Sequence, residues 1–375
     1  MPAKTDSMRR HALLLPVVLG LLGVSLAACG GERGAGALPD AADLPLKGNK
    51  SITPIPKVDL VMPDTRGELY DFRERTRGKV ALLFFGYTYC PDVCPIHMAT
   101  LASALKELEP TVREKIRTVF VTVDPERDTP DRLRDWLATF DSSFVGLRGT
   151  PEEINRALAF YRSPPPERSQ EGDGYTVGHP AFIYAFTPDG WGRALYGPET
   201  TKAIWIHDLQ LLAAVPASEP KPSAAPEGPT ESAQAPEGEA PSADSTLGRA
   251  GDVVVRGAVI PEPAPGSGAA LYLTLVNTGA AADSLVALST PAAERVTLHD
   301  MVMREGVMRM IPMGPLPVPP GRTVRLAPGS RHAMLEGVRP GTLQAGGEVE
   351  ATLIFARGGA VRIRVPVVRY EDVTR

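Results

Sequence analysis

Histidine and methionine residues cluster near the C-terminal end of the chain. Six of the ten methionines lie within residues 301–334, and His299 and His332 lie beside them. A thioether sulfur is a soft ligand that hard cations avoid, whereas Cu(I) accepts thioether and imidazole donors readily. A second pair of soft donors, Cys90 and Cys94, lies far upstream. Two clusters of soft ligands in one chain predict a protein that handles copper.

Length and charge limit the other classes of function. The chain has 375 residues, which is enough for two ordinary domains with tails. Its formal net charge is only −4 and no block of like charge occurs, so a nucleic-acid partner is not expected. The 38 prolines and 36 glycines indicate many turns or linkers.

The N-terminus has the pattern of an export signal. Basic residues precede an apolar run at 12–24 that is too short for an ordinary membrane span. The run ends in Leu-Ala-Ala before Cys29, which resembles the lipobox of bacterial lipoproteins. This resemblance implies a signal peptide at 1–28, a lipid on Cys29, a tether at 29–54, and a membrane-anchored protein on the periplasmic side. The alternative is an ordinary signal peptide with an incidental cysteine. We expect a monomer.

Residues 55–215 alternate buried strands with helical stretches. Apolar runs at 79–87 and 118–123 are typical of buried parallel strands, and a strand pair is expected around the turn at 188–190. Helical spacing appears at 97–108, and Thr129 and Pro130 are typical of a helix start. The order β-α-β-α-β-β predicts a thioredoxin-like α/β domain.

Two changes of composition follow this domain. The stretch from Pro216 to Thr246 contains no Val, Ile, Leu, Met, Phe, Trp or Tyr, which predicts a disordered linker at 216–249. Residues 250–370 then carry short β-rich runs between Gly and Pro turns, without a good helix candidate. This pattern predicts an all-β sandwich or barrel.

The segment Cys90-Pro91-Asp92-Val93-Cys94 follows the first predicted strand and is expected to open the next helix. Two cysteines four residues apart would lie on one face of a helical turn, where they could bind one ion or form a disulfide. A helix N-terminus also favours the thiolate. A purely structural disulfide across so short a loop would add little stability, so a metal or redox role is favoured.

Three segments carry a resemblance to a known family. FFGYTYCPDVCP at 84–95, VTVDPERDTP at 121–130 and VGHPAF at 177–182 resemble the Sco/SenC family over residues 56–205. The resemblance implies a thioredoxin-like fold, copper ligands Cys90, Cys94 and His179, and a role with the copper-bearing subunit of cytochrome c oxidase. The resemblance implies that this site binds Cu(I) and can also bind Cu(II). Pro180 departs from the hydroxyl residue often found there.

Other residues of this region receive structural roles. His97 and His207 are interpreted as structural histidines. Asp124 and Asp128 are expected to shape the loop before the helix that starts near Thr129.

The C-terminal cluster carries a second resemblance. The spacing H-x10-M-x21-H-x-M from His299 to Met334, with AALYLTLVNTG at 269–279, resembles the periplasmic copper chaperone family PCuAC over residues 252–367. The resemblance implies a cupredoxin-like β domain with ligands His299, Met310, His332 and Met334. Residues two apart on a strand point the same way, so His332 and Met334 can face one ion. This donor set has no charge and favours Cu(I).

The remaining methionines of the cluster are interpreted separately. Met301 is the alternative ligand, and Met303, Met308 and Met313 are assigned to core packing.

The sequence leaves two main functions open and a third as a distant alternative. The favoured hypothesis is a metallochaperone that delivers Cu(I) to the dinuclear copper centre of cytochrome c oxidase, or prepares that centre, and is not an enzyme in the usual sense. The alternative is a thiol–disulfide oxidoreductase in which Cys90 and Cys94 exchange electrons and the C-terminal domain buffers copper. A peroxidase is the weakest alternative, because peroxidatic sites need no third ligand.

Overall fold

The computed structural model describes residues 44–171, 174–217, 246–264, 267–304 and 307–373. The expected signal peptide at 1–28, its lipid site Cys29 and most of the expected linker lie outside these residues. Among the described residues, no helix has both the length and the apolar character needed to cross a membrane. We call residues 44–217 the first domain and residues 246–373 the second domain.

The first domain is an α/β unit of ten strands and six helices. The strands are β1 Asn49–Pro56, β2 Val61–Pro63, β3 Leu69–Asp71, β4 Val80–Gly86, β5 Ile116–Thr122, β6 Val145–Leu147, β7 Glu167–Glu171, β8 Gly174–Gly178, β9 Ile183–Phe186 and β10 Trp191–Tyr196. The helices are α1 Phe72–Arg75, α2 Val93–Glu107, α3 Pro110–Arg113, α4 Pro130–Ala138, α5 Pro151–Phe160 and α6 Lys202–Ala214.

The central sheet of the first domain has the order β1-β10-β9-β4-β5-β6. Strands β4, β5 and β6 are parallel, and β9 runs antiparallel to β4. Every residue of β4 is buried, because this strand lies in the middle of the sheet and both of its faces are covered. The parallel neighbours need crossover connections, which α2 with α3 and then α4 supply. This arrangement confirms the thioredoxin-like prediction.

Local sequence signals set the helix starts. Thr129 caps α4 by accepting a hydrogen bond from the backbone of Arg132 at 3.3 Å, and Pro130 occupies the first helical turn. Thr150 and Glu153 form a reciprocal capping box at the start of α5. Helix α2 has no such side-chain cap, and apolar residues occur all around it. A helix with this pattern must be covered on more than one side.

The second domain is built from eleven strands. These are β11 Thr246–Ala250, β12 Val253–Pro261, β13 Ala269–Asn277, β14 Asp283–Ser289, β15 Arg295–Arg304, β16 Val307–Pro312, β17 Leu316–Val318, β18 Thr323–Leu326, β19 His332–Glu336, β20 Glu348–Phe355 and β21 Gly359–Val368. A short 3₁₀ turn at Tyr370–Asp372 follows the last strand.

One hydrogen-bonded network joins all eleven strands of the second domain. Its main path is β16-β15-β19-β13-β12-β21-β20-β14-β17, with β11 added to β12 and β18 added to β13. Alternating residues of these strands enclose a separate apolar core that includes Val253, Leu273 and Leu353. The all-β cupredoxin-like prediction for this part of the chain is confirmed.

Two strands begin earlier than the composition suggests. Strand β1 starts at Asn49, inside the segment expected to be a tether, because it pairs antiparallel with β10. Strand β11 starts at Thr246, inside the segment expected to be a linker, because it pairs antiparallel with β12. Backbone pairing of this kind needs no run of apolar side chains.

Candidate metal sites

The two cysteines lie where β4 ends and α2 begins. Cys94 is in the first turn of α2, but Cys90 lies in the loop before it, where its backbone N–H donates to the carbonyl of Tyr87 at 3.2 Å. The expectation that both cysteines share one helical face is therefore wrong for Cys90. Asp92 has non-helical backbone angles, so the helix cannot extend back to that residue. The loop nevertheless places the thiol of Cys90 within 4.8 Å of the thiol of Cys94.

Three donor side chains meet at this position. One ligand atom each from Cys90, Cys94 and His179 lies within 4.8 Å of the others, and all three side chains are buried. The Sγ atom of Cys94 lies 3.5 Å from Nε2 of His179. Gly86 makes room for them, because a Cβ at this position would lie 2.7 Å from Sγ of Cys94. The structure thus brings together the three residues predicted as ligands.

The imidazole of His179 is held in one orientation. Its Nδ1 lies 2.9 Å from the carbonyl oxygen of Pro180, so Nδ1–H donates to that oxygen and the Nε2 lone pair faces the cysteines. The rings of Phe84 and Tyr87 contact the imidazole edge-on. The residue that departs from the Sco/SenC pattern, Pro180, therefore orients the histidine through its backbone.

The two thiols differ in acidity. Burial by itself raises the pKa of Cys90, but its hydrogen bond with Cys94 and the neighbouring His179 side chain hold that pKa well below its usual value. Burial raises the pKa of Cys94, and the neighbouring Cys90 thiolate raises it further. Cys90 is therefore the more acidic of the two thiols.

Other polar residues near this site have structural contacts. Nε2 of His97 lies 2.8 Å from the carbonyl oxygen of Ala181, and His207 contacts Asp208 on α6. Asp128 accepts hydrogen bonds from the hydroxyls of Thr88 and Thr122, each at 2.6 Å, which fixes the loop after β5 against the loop after β4.

The second cluster lies on one face of three neighbouring strands. In the antiparallel ladders, His299 of β15 is opposite His332 of β19, and Met301 of β15 is opposite Met310 of β16. Directly opposite residues project from the same face, as do residues two apart on one strand. The register therefore places His299, His332 and Met310, with Met301 beside them, on a single face.

Three of the four residues predicted in this cluster approach one another. Nε2 of His332 lies 3.0 Å from Sδ of Met310, and the imidazole rings of His299 and His332 are 5.8 Å apart with 23° between their planes. Nδ1 of His332 donates to the carbonyl oxygen of Ser330 at 3.0 Å, which leaves its Nε2 lone pair for a ligand. Met334 shares this face by register, and its side chain packs against the backbone of Gly268.

The two clusters are close to each other. Asp92, between the cysteines, accepts hydrogen bonds from the hydroxyl of Tyr272 and from the backbone N–H of Gly329, which belong to the second domain. Its Oδ2 lies 3.8 Å from Nδ1 of His332. Burial raises the pKa of Asp92, partly offset by the nearby His332 and these hydrogen bonds.

The methionines assigned to core packing divide between the two domains. Met308 is buried against the core of the first domain, and Met303 packs there in part, while Met313 packs against the core of the second domain. Sequence reasoning did not anticipate that Asp92, Tyr272 and Met308 join the two clusters. Their local patterns are those of an ordinary loop and ordinary strands.

Two family models match the chain, one in each domain. The family model described as SCO1/SenC matches residues 60–214, and one described as LpqE-like, a lipoprotein family, matches residues 253–367. The solved ScoI of Bradyrhizobium japonicum with copper bound is 33% identical, over 42% of this chain and 98% of that one, with a TM-score of 0.38. The apo PCuAC domain from PmoF1 is 25% identical, over 32% of this chain and 97% of that one, with a TM-score of 0.28.

A curated relative is the protein sco1 of Schizosaccharomyces pombe, which is 33% identical over 128 residues, or 33% of this chain. The chain spans 49% of the length of that relative.

Proposed function

The chain belongs to the SCO1/SenC family and carries an LpqE-like PCuAC domain after it, and from this premise we propose that it is an extracytoplasmic copper chaperone. It carries Cu(I) and delivers it to the dinuclear copper centre of cytochrome c oxidase, or prepares that centre. The observation that carries this proposal is the presence of two soft-donor clusters in one compact unit of the chain.

Both donor sets fit copper. A thiolate, a thiol that can lose its proton and a neutral imidazole make the first set, which suits Cu(I) and also accepts Cu(II). The second set combines His299 and His332 with the thioether of Met310, and Met334 as a fourth donor. Thioethers are poor ligands for zinc and for hard cations, so this set selects Cu(I). Copper is cargo in this account, bound and then released.

The second candidate function is thiol–disulfide exchange. It is favoured by the unequal acidity of the two thiols, with a lowered pKa at Cys90 and a raised one at Cys94. Thiol–disulfide exchange uses this difference in pKa, because one cysteine attacks the disulfide as a thiolate and its neighbour then resolves the mixed disulfide. In that function, the protein reduces the cysteines of the oxidase copper site before copper arrives, and the second domain buffers copper.

A variant at His179 separates the two functions. His179→Ala removes one copper ligand but leaves both thiols in place. We measure two activities with the soluble copper-bearing domain of the oxidase as acceptor: Cu(I) transfer to the reduced acceptor, and reduction of the oxidised acceptor by the metal-free protein. His207→Ala, which changes a partly exposed histidine on α6, is the matched control.

The chaperone function predicts that the unmodified chain transfers Cu(I) and that His179→Ala loses most of this transfer. The reductase function predicts that the metal-free chain reduces the acceptor and that His179→Ala retains much of that rate. A chain that does neither would refute both functions.

The proposed location rests on the N-terminal sequence. We propose that Cys29 carries a lipid that holds a monomeric chain at the membrane on the periplasmic side. Mass spectrometry of the protein from membranes should find a diacylglycerol-modified N-terminal cysteine. Cys29→Ser should move the protein to the soluble extracytoplasmic fraction, and an unchanged membrane association would contradict the anchor.

A further inference from the structure

Methionines of the second domain lie directly against the cysteine site of the first. The backbone N–H of Met308 donates to the carbonyl oxygen of His179 at 3.2 Å, and the two residues form an isolated antiparallel bridge. Met308 is only 4% exposed and packs with the core of the first domain, where Met301 also packs in part. A strand of one metal-binding domain therefore pairs with the ligand residue of the other.

A single cavity lies between the two donor sets. On one side it is lined by Cys90 and His179, and on the other by Met301, Met308 and Met310. Met310 is also the residue whose sulfur lies 3.0 Å from His332. The cavity thus extends from one ligand of the second site to two ligands of the first.

Strand register places the methionines of this cavity in one row on a single face. Met301 is opposite Met310 in the β15–β16 ladder, and Met308 lies two residues before Met310 on the same strand. All three side chains therefore project from one face. Starting from His332, the row runs through Met310 to Met301 and Met308, which border Cys90 and His179.

Contacts made by two residues that line the cavity join the two domains. Asp92 of the first domain accepts hydrogen bonds from Tyr272 and Gly329 of the second. Arg309 of the second domain forms an ion pair with Glu167 of the first at 2.8 Å. Direct contacts between the domains therefore hold the two donor sets next to each other, and their proximity does not depend on tethering by the linker.

We propose that Met301 and Met308 form a transit site through which Cu(I) passes inside the molecule between the His299–Met310–His332 site and the Cys90–Cys94–His179 site. This inference rests on the proposed chaperone function. Thioethers bind Cu(I) but hold it more weakly than a thiolate does, which suits an intermediate ligand. Copper then moves from the neutral site to the thiolate site.

Each step exchanges one ligand for another on a metal ion that stays Cu(I). A bond from copper to the sulfur of Met301 or Met308 forms as the bond to an imidazole or to Met310 breaks. Bonds to the Cys90 thiolate and then to Cys94 replace the thioether bonds. The thiol proton of Cys94 leaves to solvent when its sulfur binds, and no electron is transferred.

The test follows the arrival of copper at the cysteines in the full reduced chain. One equivalent of Cu(I), supplied as a weak acetonitrile complex, is mixed rapidly with the protein without oxygen, and the copper–thiolate absorption band is recorded. Capture by the second domain depends on concentration, whereas the internal step does not. The transit site predicts a first-order phase that is independent of protein concentration and disappears in His332→Gln.

Leucine variants identify the residues of the transit site. Met308→Leu preserves apolar volume and removes one sulfur of the transit site, at a residue that is not a candidate ligand of either metal site. It should slow the first-order phase about tenfold or more, while chelator competition still finds two tight Cu(I) sites. Met313→Leu, which changes a methionine packed against the second domain's own core, is the matched control and should leave the phase unchanged.

These measurements distinguish a failure of the transit site from a failure of the chaperone function. An unchanged first-order phase in Met308→Leu, with two tight sites intact, would overturn the transit site and leave the chaperone function standing. A wild-type chain that never develops the copper–thiolate band would refute copper binding at the cysteines, and the chaperone function with it.

Discussion

Replacing Tyr272 with phenylalanine should loosen the contact between the two domains. The hydroxyl of Tyr272 donates to the carboxylate of Asp92, which is 1% exposed and lies between the two cysteines. The substitution removes this donor and changes little else, because the aromatic ring that packs against Ile96 and Ala99 of α2 is retained.

The size of the effect follows from the few donors that face Asp92. Without Tyr272, the nearest remaining donor is the backbone N–H of Gly329 at 3.2 Å, and His332 is more distant at 3.8 Å. A buried polar group left short of one partner costs about 1–3 kcal/mol. The equilibrium between docked and undocked domains should therefore shift by about fivefold to about 150-fold towards the undocked form.

Two measurements report this shift. Hydrogen exchange at the backbone amide of Met308 reports the bond to His179 directly, because that bond joins the domains. The rate at which iodoacetamide alkylates Cys90 reports access to the cysteine site, since Cys90 is only 5% exposed in the docked form. Both rates should rise by the same factor in Tyr272→Phe.

The matched control is Tyr184→Phe, which removes a buried hydroxyl that contacts Ser163 within the first domain. This variant should change neither the exchange rate of Met308 nor the alkylation rate of Cys90. Equal rates in Tyr272→Phe and in the unmodified chain would show that the Asp92 hydrogen bond does not hold the domains together.

Three further predictions concern the sites themselves. Burial lowers the pKa of His97 to about 4. In the unfolded chain this histidine has a pKa near 6.5, so as pH falls the unfolded chain is protonated first and the folded state loses stability. Urea unfolding should therefore show roughly 2 kcal/mol of stability lost between pH 7 and pH 5, a loss that His97→Gln does not show. An equal loss in both proteins would contradict this assignment. Gly86→Ala places a Cβ 2.7 Å from Sγ of Cys94. The free energy of unfolding should therefore fall by about 1–3 kcal/mol, and Cu(I) affinity at the cysteines should fall with it. Unchanged stability and unchanged Cu(I) affinity would show that the site tolerates the methyl group. Met310→Leu should weaken Cu(I) binding at the second site by about tenfold or more in chelator competition without changing thermal unfolding, and unaltered affinity would exclude Met310 as a ligand.

Sequence patterns predicted those features that depend on local periodicity. The buried strand β4 and the start of α4 at Thr129 depend on residues that are adjacent in the chain, so the sequence alone predicts them. The one-face placement of His299, His332 and Met310 follows from strand register combined with the resemblance that selected these residues. The ligand roles of these residues remain predictions.

The contact between the domains could not be predicted in the same way. Tyr272 and Asp92 are 180 residues apart, and the intervening segment at 216–249 carries no pattern that specifies geometry. Met308 has the spacing of a core residue, and it is a core residue, but of the other domain. The position of Cys90 before α2 also depends on the backbone angles of Asp92, which the residue types do not reveal.

The proposed chaperone function requires this chain to hold two Cu(I) ions in two different donor sets. The most direct test is an anaerobic titration of the reduced chain, carrying Cys29→Ser to remove the expected lipid site, with Cu(I) in competition with a chelator. We expect two tight equivalents in the parent chain, of which Cys90→Ser loses one. A single equivalent that survives Cys90→Ser would show that the first domain binds no copper, and its cysteines would be left with thiol exchange alone.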